Sequence, residues 1–478
     1  VNIGLEAWLP SHPKTSDLSG TPILTPPPMR PITALLAALA IGSAVLPAPT
    51  AAQSSPRSST IPNSSGAAEL DRRIAAVMPK VVAWRRDFHE HPELSGEEMR
   101  TSKIVAEHLR ALGIETTTGV GGHGVVGVLR GGKPGPTVAL RADMDALPVE
   151  ELVDLPFKSK ARGMYRGQSV GIMHACGHDN HIAMLMGTAE VLASMKANIP
   201  GTIKFIFQPA EEGLENSKSG AHLMIRDGVL DHPKVDAIFG LHVGPGTVGQ
   251  ISYRAGPAMA ASNSMKITVL GRQTHGAQPW DGIDPIVIGA QIVTGLQTLV
   301  SRQINIASVP AIVTIGAFQG GVRNNIIPDS VVMLGTIRTF DRAIRDDLFK
   351  RITRTAEMIA ASAGGTARVV IDSGNLVTRN DSALTMRMIP TLERAAGAAG
   401  ATVAPLWTAS EDFSAFQERI PGLFFNLGGT PRDRDPATVP TNHSPSFFVD
   451  EAALPIGVRA LSNLAMDYLT GVNAPRRP

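Results

Sequence analysis

The stretch Gly201-Thr202-Ile203-Lys204-Phe205-Ile206-Phe207-Gln208-Pro209-Ala210-Glu211-Glu212 is an apolar run that ends in two adjacent carboxylates. Its β-branched and aromatic residues favour a strand, and Pro209 closes it. Apolar and polar positions do not alternate along it, so both faces of the strand are covered. That pattern belongs to a strand inside an α/β sheet. Open sheets of this kind bind ligands beyond the C-terminal ends of their strands, where Glu211 and Glu212 fall. Adjacent side chains point in different directions, so one carboxylate can hold a cation while the other faces a substrate.

Outward from this strand the α/β pattern continues. Residues 125–129 and 137–140 are expected to be strands paired with each other, 182–195 a helix and 237–241 a further strand. Upstream, Leu70, Ile74, Val77, Val81 and Val82 recur at helical spacing from about Glu69 onward. Pro79 inside that run predicts a kink or a fresh helix start. A second helix opens at Ser95-Gly96-Glu97-Glu98 and runs to Leu109. Near Tyr253 the pattern changes. A strand at 264–270, a helix at 285–303, strands at 309–318 and 331–339, a helix at 343–361 and a strand at 368–371 follow. This β-α-β-β-α-β order suggests a ferredoxin-like α+β unit. After Ser373 the α/β character returns, with a helix near 384–398 and a strand at 423–427. The simplest reading is a catalytic α/β domain, residues 69–253 and 374–472, interrupted by an inserted domain, residues 254–373.

Hydrophobic residues make up 43% of the 478 and charged residues 18%, which suits a globular core and argues against disorder. A net charge of +2, with only three Tyr and four Trp, argues against a nucleic-acid partner. Met29-Arg30-Pro31, an apolar stretch from Ile32 to Leu46 and the small residues before Gln53 read as a signal peptide over residues 29–52. Residues 1–28 read as an upstream extension and 53–68 as a flexible leader. The apolar stretch is short for a bilayer span. The expectation is an exported protein, periplasmic or secreted, with no stable membrane association after signal cleavage.

Cys176 is the only cysteine, which also suits export, and it sits in Met173-His174-Ala175-Cys176-Gly177-His178-Asp179. With Gly240-Leu241-His242-Val243, Asn442-His443-Ser444-Pro445 and the two glutamates it supplies a soft thiolate, several imidazoles and carboxylates. That mixture binds zinc and its neighbours in the divalent series. A Glu-Glu pair alone would read as a solvated loop; the other donors reverse that reading. Two divalent ions ~3.5–4 Å apart can lower the pKa of a shared water toward ~7, and the second glutamate could act as general base and then acid. The cluster Gly121-Gly122-His123-Gly124 lacks phosphate-binding spacing and reads as a hairpin turn.

These segments, taken in order, resemble the M20 metallopeptidase superfamily. The branch is that of hippurate hydrolases, N-acyl-amino-acid amidohydrolases and auxin-conjugate hydrolases. The markers are Phe88-His89-Glu90-His91-Pro92-Glu93-Leu94-Ser95, Leu140-Arg141-Ala142-Asp143-Met144-Asp145, His174 to Asp179, Gln208 to Glu212, Gly240-Leu241-His242, Gly335-Thr336-Ile337-Arg338, Ser410-Glu411-Asp412-Phe413 and His443-Ser444-Pro445. The resemblance implies a phosphorylase/hydrolase-like metallopeptidase catalytic domain with an inserted ferredoxin-like dimerisation or lid domain, in a homodimer.

It further implies two divalent ions (Zn, or Mn, Co or Ni) on Cys176, His178, Glu212, His242 and His443, with Cys176 bridging, and Glu211 as the catalytic base. His275 is implied to reach the active site of the opposite subunit and stabilise the oxyanion, and Asn325 and Arg338 to hold a substrate carboxylate. Asp145 is expected to fix an imidazole from behind the ligands and His181 to stand in that same outer layer. Asp143, His89, His91 and His174 take structural or rim roles, and Ser410-Glu411-Asp412 shapes the pocket. The implied activity is hydrolysis of N-acyl or N-aroyl amino acids. The alternatives are a dipeptidase or carboxypeptidase using the same dinuclear site and, more remotely, a non-catalytic binding protein.

Overall fold

The computed structural model describes residues 64–214 and 219–473. The signal, extension and all but the end of the leader expected in the first 63 residues lie outside the described residues. An eight-stranded mixed sheet forms the centre. In spatial order its strands are Glu115–Val120, Gly124–Arg130, Pro200–Gln208, Lys133–Asp143, Ala237–Thr247, Gly422–Thr430, Ile251–Tyr253 and Ala401–Val403. The four middle strands, from Pro200–Gln208 to Gly422–Thr430, are parallel. The expected pairing of residues 125–129 with 137–140 is corrected: Pro200–Gln208 lies between them, antiparallel to one and parallel to the other.

Alternation of side chains across this sheet builds two cores. Val138, Leu140, Ile203, Phe205, Phe207, Phe239 and Leu241 pack on one face with the helices Ser64–Glu90, His178–Ala193 and Leu454–Thr470. Ala139, Ile206 and Ile238 face the other way, with Met224, Phe413 and Phe416. Lys204, the one charge in the quoted apolar run, also stays buried. Its ammonium donates to the carbonyls of Val229 at 2.7 Å and Pro233 at 3.0 Å.

Of the kink or fresh helix start expected at Pro79, the fresh start is corrected: Ser64–Glu90 is one helix element with Pro79 inside it. Ala75 and Pro79 lie on its exposed face, so water can satisfy the carbonyl that proline leaves without an N–H. Leu70, Ile74, Val77 and Val81 are buried on the opposite face.

A second sheet stands on its own core. Its strands run in spatial order Ala311–Gly320, Ser330–Thr339, Ala261–Leu270 and Thr366–Ser373, antiparallel throughout. The helices Pro285–Thr298 and Arg342–Ser362 pack against it through Ile288, Ile292, Leu296, Leu348 and Ile352. Asp284 and Asp341 cap these helices by accepting backbone N–H groups. Among the described residues, no helix is long and apolar enough to cross a membrane.

Candidate metal centre

The ends of the middle strands meet the start of a helix. Gly177 is the turn into His178–Ala193; it adopts φ 89°, and a Cβ there would run into Val243. The turn brings the Cys176 sulfur to 3.4 Å from His242 Nε2 on Ala237–Thr247. His242 Nδ1–H donates to the Val243 carbonyl at 2.7 Å, which leaves the Nε2 lone pair facing the sulfur. His178 Nδ1–H donates to the Asp145 carbonyl at 2.8 Å, and its Nε2 is buried with no hydrogen-bond partner among the described residues. His443 arrives from the other end of the chain at φ 71°. Its backbone N–H donates to the Ala175 carbonyl at 2.8 Å, and its Nε2 stands 3.2 Å from Glu212 Oε1.

The ligand atoms of Cys176, His178 and His242 lie within 4.8 Å of one another, as do those of Cys176, Glu212 and His443. The two sets share the sulfur. Burial, then Glu212, Glu211 and Asp143, push the Cys176 thiol well above its usual range, so a thiolate there needs a cation beside it. Burial depresses His178, but Asp143, Asp145 and Glu212 outweigh it and raise it to about 10. The surrounding acids thus recruit positive charge. An orphaned imidazole nitrogen, a buried thiol and excess carboxylate fit divalent metal ions.

Two other clusters of donors do not fit, the one with His181 and the one with Glu411 and Asp412. His181 Nδ1 donates to Asp143 at 2.5 Å and its Nε2 accepts the Val243 N–H at 2.9 Å, so it has no lone pair left for a metal. Glu411 and Asp412 are already matched by buried Arg141, whose guanidinium donates to each at 2.9 Å and to Asp143 at 2.6 Å. Gln208 adds bonds of 2.9 and 2.8 Å to Asp412.

Asp145 meets the His178 imidazole and also shapes the loop beside it. Its backbone carbonyl, not its carboxylate, takes the short bond from His178; Oδ1 is 3.5 Å away. The carboxylate also accepts the N–H groups of Glu211 and Glu212, each at 3.0 Å, and the Ser95 hydroxyl at 2.6 Å. Each of its oxygens holds one of the two backbone N–H groups, so Asp145 sets the turn that aims both glutamates. Ala210 in that turn has φ 50°, and buried Glu98 holds its N–H at 2.9 Å. Glu211 is held above the usual carboxylate range by burial and by Glu411, Glu212 and Asp412.

A cavity of about 700 Å³ opens over these residues. Cys176, Glu211, Glu212, His242 and His443 line one side, and Arg338 of Ser330–Thr339 reaches in from the second sheet. Among the described residues Arg338 bonds only Thr336 Oγ1 at 2.5 Å and the Ile337 carbonyl at 3.3 Å. It is half-buried and has no acidic partner among the described residues.

Residues 139–467 match peptidase family M20/M25/M40. The chain belongs to this family. It is 41% identical to "Thermostable carboxypeptidase 2" of Saccharolobus solfataricus, over 84% of this chain and 98% of that protein. It is 38% identical to "IAA-amino acid hydrolase ILR1-like 4" of Arabidopsis thaliana, over 82% and 87%. A solved dinuclear metal binding peptidase of the M20 family from Bacillus subtilis superposes with a TM-score of 0.69 at 35% identity, covering 83% of this chain and 99% of that one. This M20 protein is therefore a hydrolase of carbon–nitrogen bonds with metal-binding residue groups.

Two expected site residues stand apart in the M20 chain. His275 and Asn325 are exposed and do not line the cavity. They neighbour each other, since the Gly276 N–H donates to the Asn325 carbonyl at 2.8 Å and His275 pairs with Ile326. His89 is buried between Asp179 at 2.9 Å and Glu151 at 3.1 Å, while His91 is exposed. Sequence reading gave no role to Arg141, Asn442 or Trp407. Asn442 ties the His443 loop to the Cys176 and Val243 carbonyls, both at 3.1 Å. A signal for Arg141 existed: an arginine inside an apolar strand must find buried acids.

Proposed function

We propose that this chain hydrolyses the amide bond of N-acyl or N-aroyl amino acids. The observation that carries this is Arg338, a half-buried guanidinium without a counter-ion among the described residues, facing the thiol, imidazole and carboxylate donors across one cavity. Such an arginine suits the free carboxylate of an amino acid in a planar two-bond contact. Two divalent ions on Cys176, His178, Glu212, His242 and His443 would polarise the scissile carbonyl and acidify water. Glu211 takes the proton of the attacking water and returns it to the leaving amine. Burial beside other acids supports this, because it makes the Glu211 carboxylate a stronger base than an exposed one.

His275 and Asn325 enter this scheme from a second copy of the chain. Their exposed position together on the inserted unit, away from their own cavity, supports that reading. In it, residues 254–373 form the dimerisation and lid domain of a homodimer, and His275 donates to the developing oxyanion.

A carboxypeptidase or dipeptidase reading uses the same residues. The identity to a protein named carboxypeptidase favours it. Chelated enzyme reloaded with Zn, Mn, Co or Ni, then given N-acyl amino acids, dipeptides and longer peptides, separates the two. Metal-restored cleavage of the acyl amino acids, with a KM raised about 10–100-fold in Arg338→Ala and kcat little changed, is the expected result. Cleavage confined to peptides would replace the first reading by the second. No cleavage with any metal would count against both.

A further inference from the structure

Across the sheet, three cavity residues stand in one row. His242 is in register with Asn426 on Gly422–Thr430, and Asn426 with Ser252 on Ile251–Tyr253. Residues in register share a sheet face, and strands lie about 4.8 Å apart, so the row leads about 10 Å outward from His242. Residues 404–409 run across it. Their path is pinned by the Ala404 N–H to the Tyr253 carbonyl at 2.7 Å and the Trp407 N–H to the Ala258 carbonyl at 3.0 Å. Trp407 meets His242 edge-on, with ring centroids 5.9 Å apart at 82°. Together with Leu406 it makes an apolar wall facing the polar row.

One atom in the row is unsatisfied. Asn426 Oδ1 is buried and has no hydrogen-bond partner among the described residues. The metal donors explain the orphaned His178 Nε2, but Asn426 belongs to neither donor set. A buried amide oxygen without a donor is costly, so a site that keeps one is built to receive a donor.

We propose that this slot holds the acyl part of the substrate, and that Asn426, assisted by Ser252, selects an aromatic acyl group with an N–H or O–H donor at its far end. This deepens the hydrolase reading and rests on it. The scissile carbonyl lies beside Glu211 and His242, Arg338 takes the amino acid carboxylate, and the ring extends along the row under Trp407. A para donor on a single ring then reaches Asn426. A site that hydrogen-bonds a substrate N–H or O–H discriminates against the analogue lacking it, because its own polar atom is left unpaired.

The test compares N-benzoyl-, N-(4-methylbenzoyl)-, N-(4-hydroxybenzoyl)- and N-(4-aminobenzoyl)glycine on the metal-loaded enzyme. The methyl compound matches the donors in size and lacks their hydrogen bond. The expected kcat/KM is about 10–100-fold higher for the hydroxy and amino compounds than for the methyl one. Asn426→Leu should bring that ratio close to one, and Ser252→Ala should lower it in part. Binding of free 4-hydroxybenzoate against 4-methylbenzoate to metal-loaded Glu211→Gln, read by calorimetry, should show the same preference without turnover. A ratio near one in the unaltered enzyme, or one unchanged in Asn426→Leu, overturns the proposal while leaving the hydrolase reading intact. Should Asn426→Leu not fold, the unaltered ratio and Ser252→Ala decide. If no aroylglycine is cleaved, the N-aroyl amino acid reading fails, and the calorimetric preference still decides for or against the slot.

Discussion

At the scale of residues, the site depends on a charge that does not line the cavity. Arg141 is 1% exposed and is shared among Asp143, Glu411 and Asp412, with Gln208 completing its bonds. Those acids surround Glu211 and support His181, so the guanidinium lets several carboxylates coexist below the cavity. Arg141→Met should remove about 3–5 kcal/mol of stability, because it leaves buried acids uncompensated. Calorimetric melting of the metal-free protein would show this as a lowered Tm. Arg141→Lys should recover only part of it, since an ammonium cannot reproduce the planar fork. The donors Cys176, His178, Glu212, His242 and His443 were legible as types in the sequence. The Arg141 hub was not: its bond to Glu411 spans 270 residues, and no local pattern names a partner so distant. Asp145 shows the same limit. Its carboxyl was visible, but only the folded turn reveals that it aims Glu211 and Glu212 as well as meeting the His178 imidazole.

At the scale of elements, the sequence carried the strands better than their neighbours. The runs at 125–129, 137–140 and 201–207 all appear as strands, yet the third inserts between the first two. Composition tells how deeply a strand is covered, whereas its place in a parallel sheet depends on where the helical crossover returns. The glycine-rich turn at 121–124 was legible and joins Glu115–Val120 to Gly124–Arg130, whereas the turn at Gly177 was not read from the sequence. Gly177 joins the Cys176 sulfur to the helix that presents His178, and its left-handed backbone leaves no room for a side chain beside Val243. Gly177→Ala should therefore strain the backbone by about 1–3 kcal/mol and shift Cys176 against His242. The expected outcome is a folded protein with at least tenfold weaker metal binding, since ligands must hold their geometry to within fractions of an ångström. Competition with a chelator of known affinity measures it. Unchanged metal affinity would mean that the turn can relax without moving the sulfur.

For the whole molecule, the question is how an inserted unit serves a cavity that two of its own residues do not line. Arg338 reaches that cavity within one chain, whereas His275 and Asn325 sit exposed with Trp280 (74% exposed) and Val322 (96%) on the same unit. Isolated polar residues need no explanation on a surface, but large apolar side chains exposed beside them favour a partner. Sequence periodicity could place these residues on the inserted unit; it carries no information on which copy of the cavity they face. A mixing experiment separates the cases. Glu211→Gln lacks the base but keeps His275, and His275→Ala keeps the base. If His275 acts across the dimer, each variant alone should be nearly inactive. Subunit exchange between equal amounts should then restore about a quarter of full activity, because half the dimers are mixed and one of their two sites is intact. If His275 serves its own chain, no mixed dimer contains an intact site and activity stays at the level of the parents. Recovery that requires unfolding and refolding together, and not simple mixing, would add that the exposed apolar surface holds the two copies tightly.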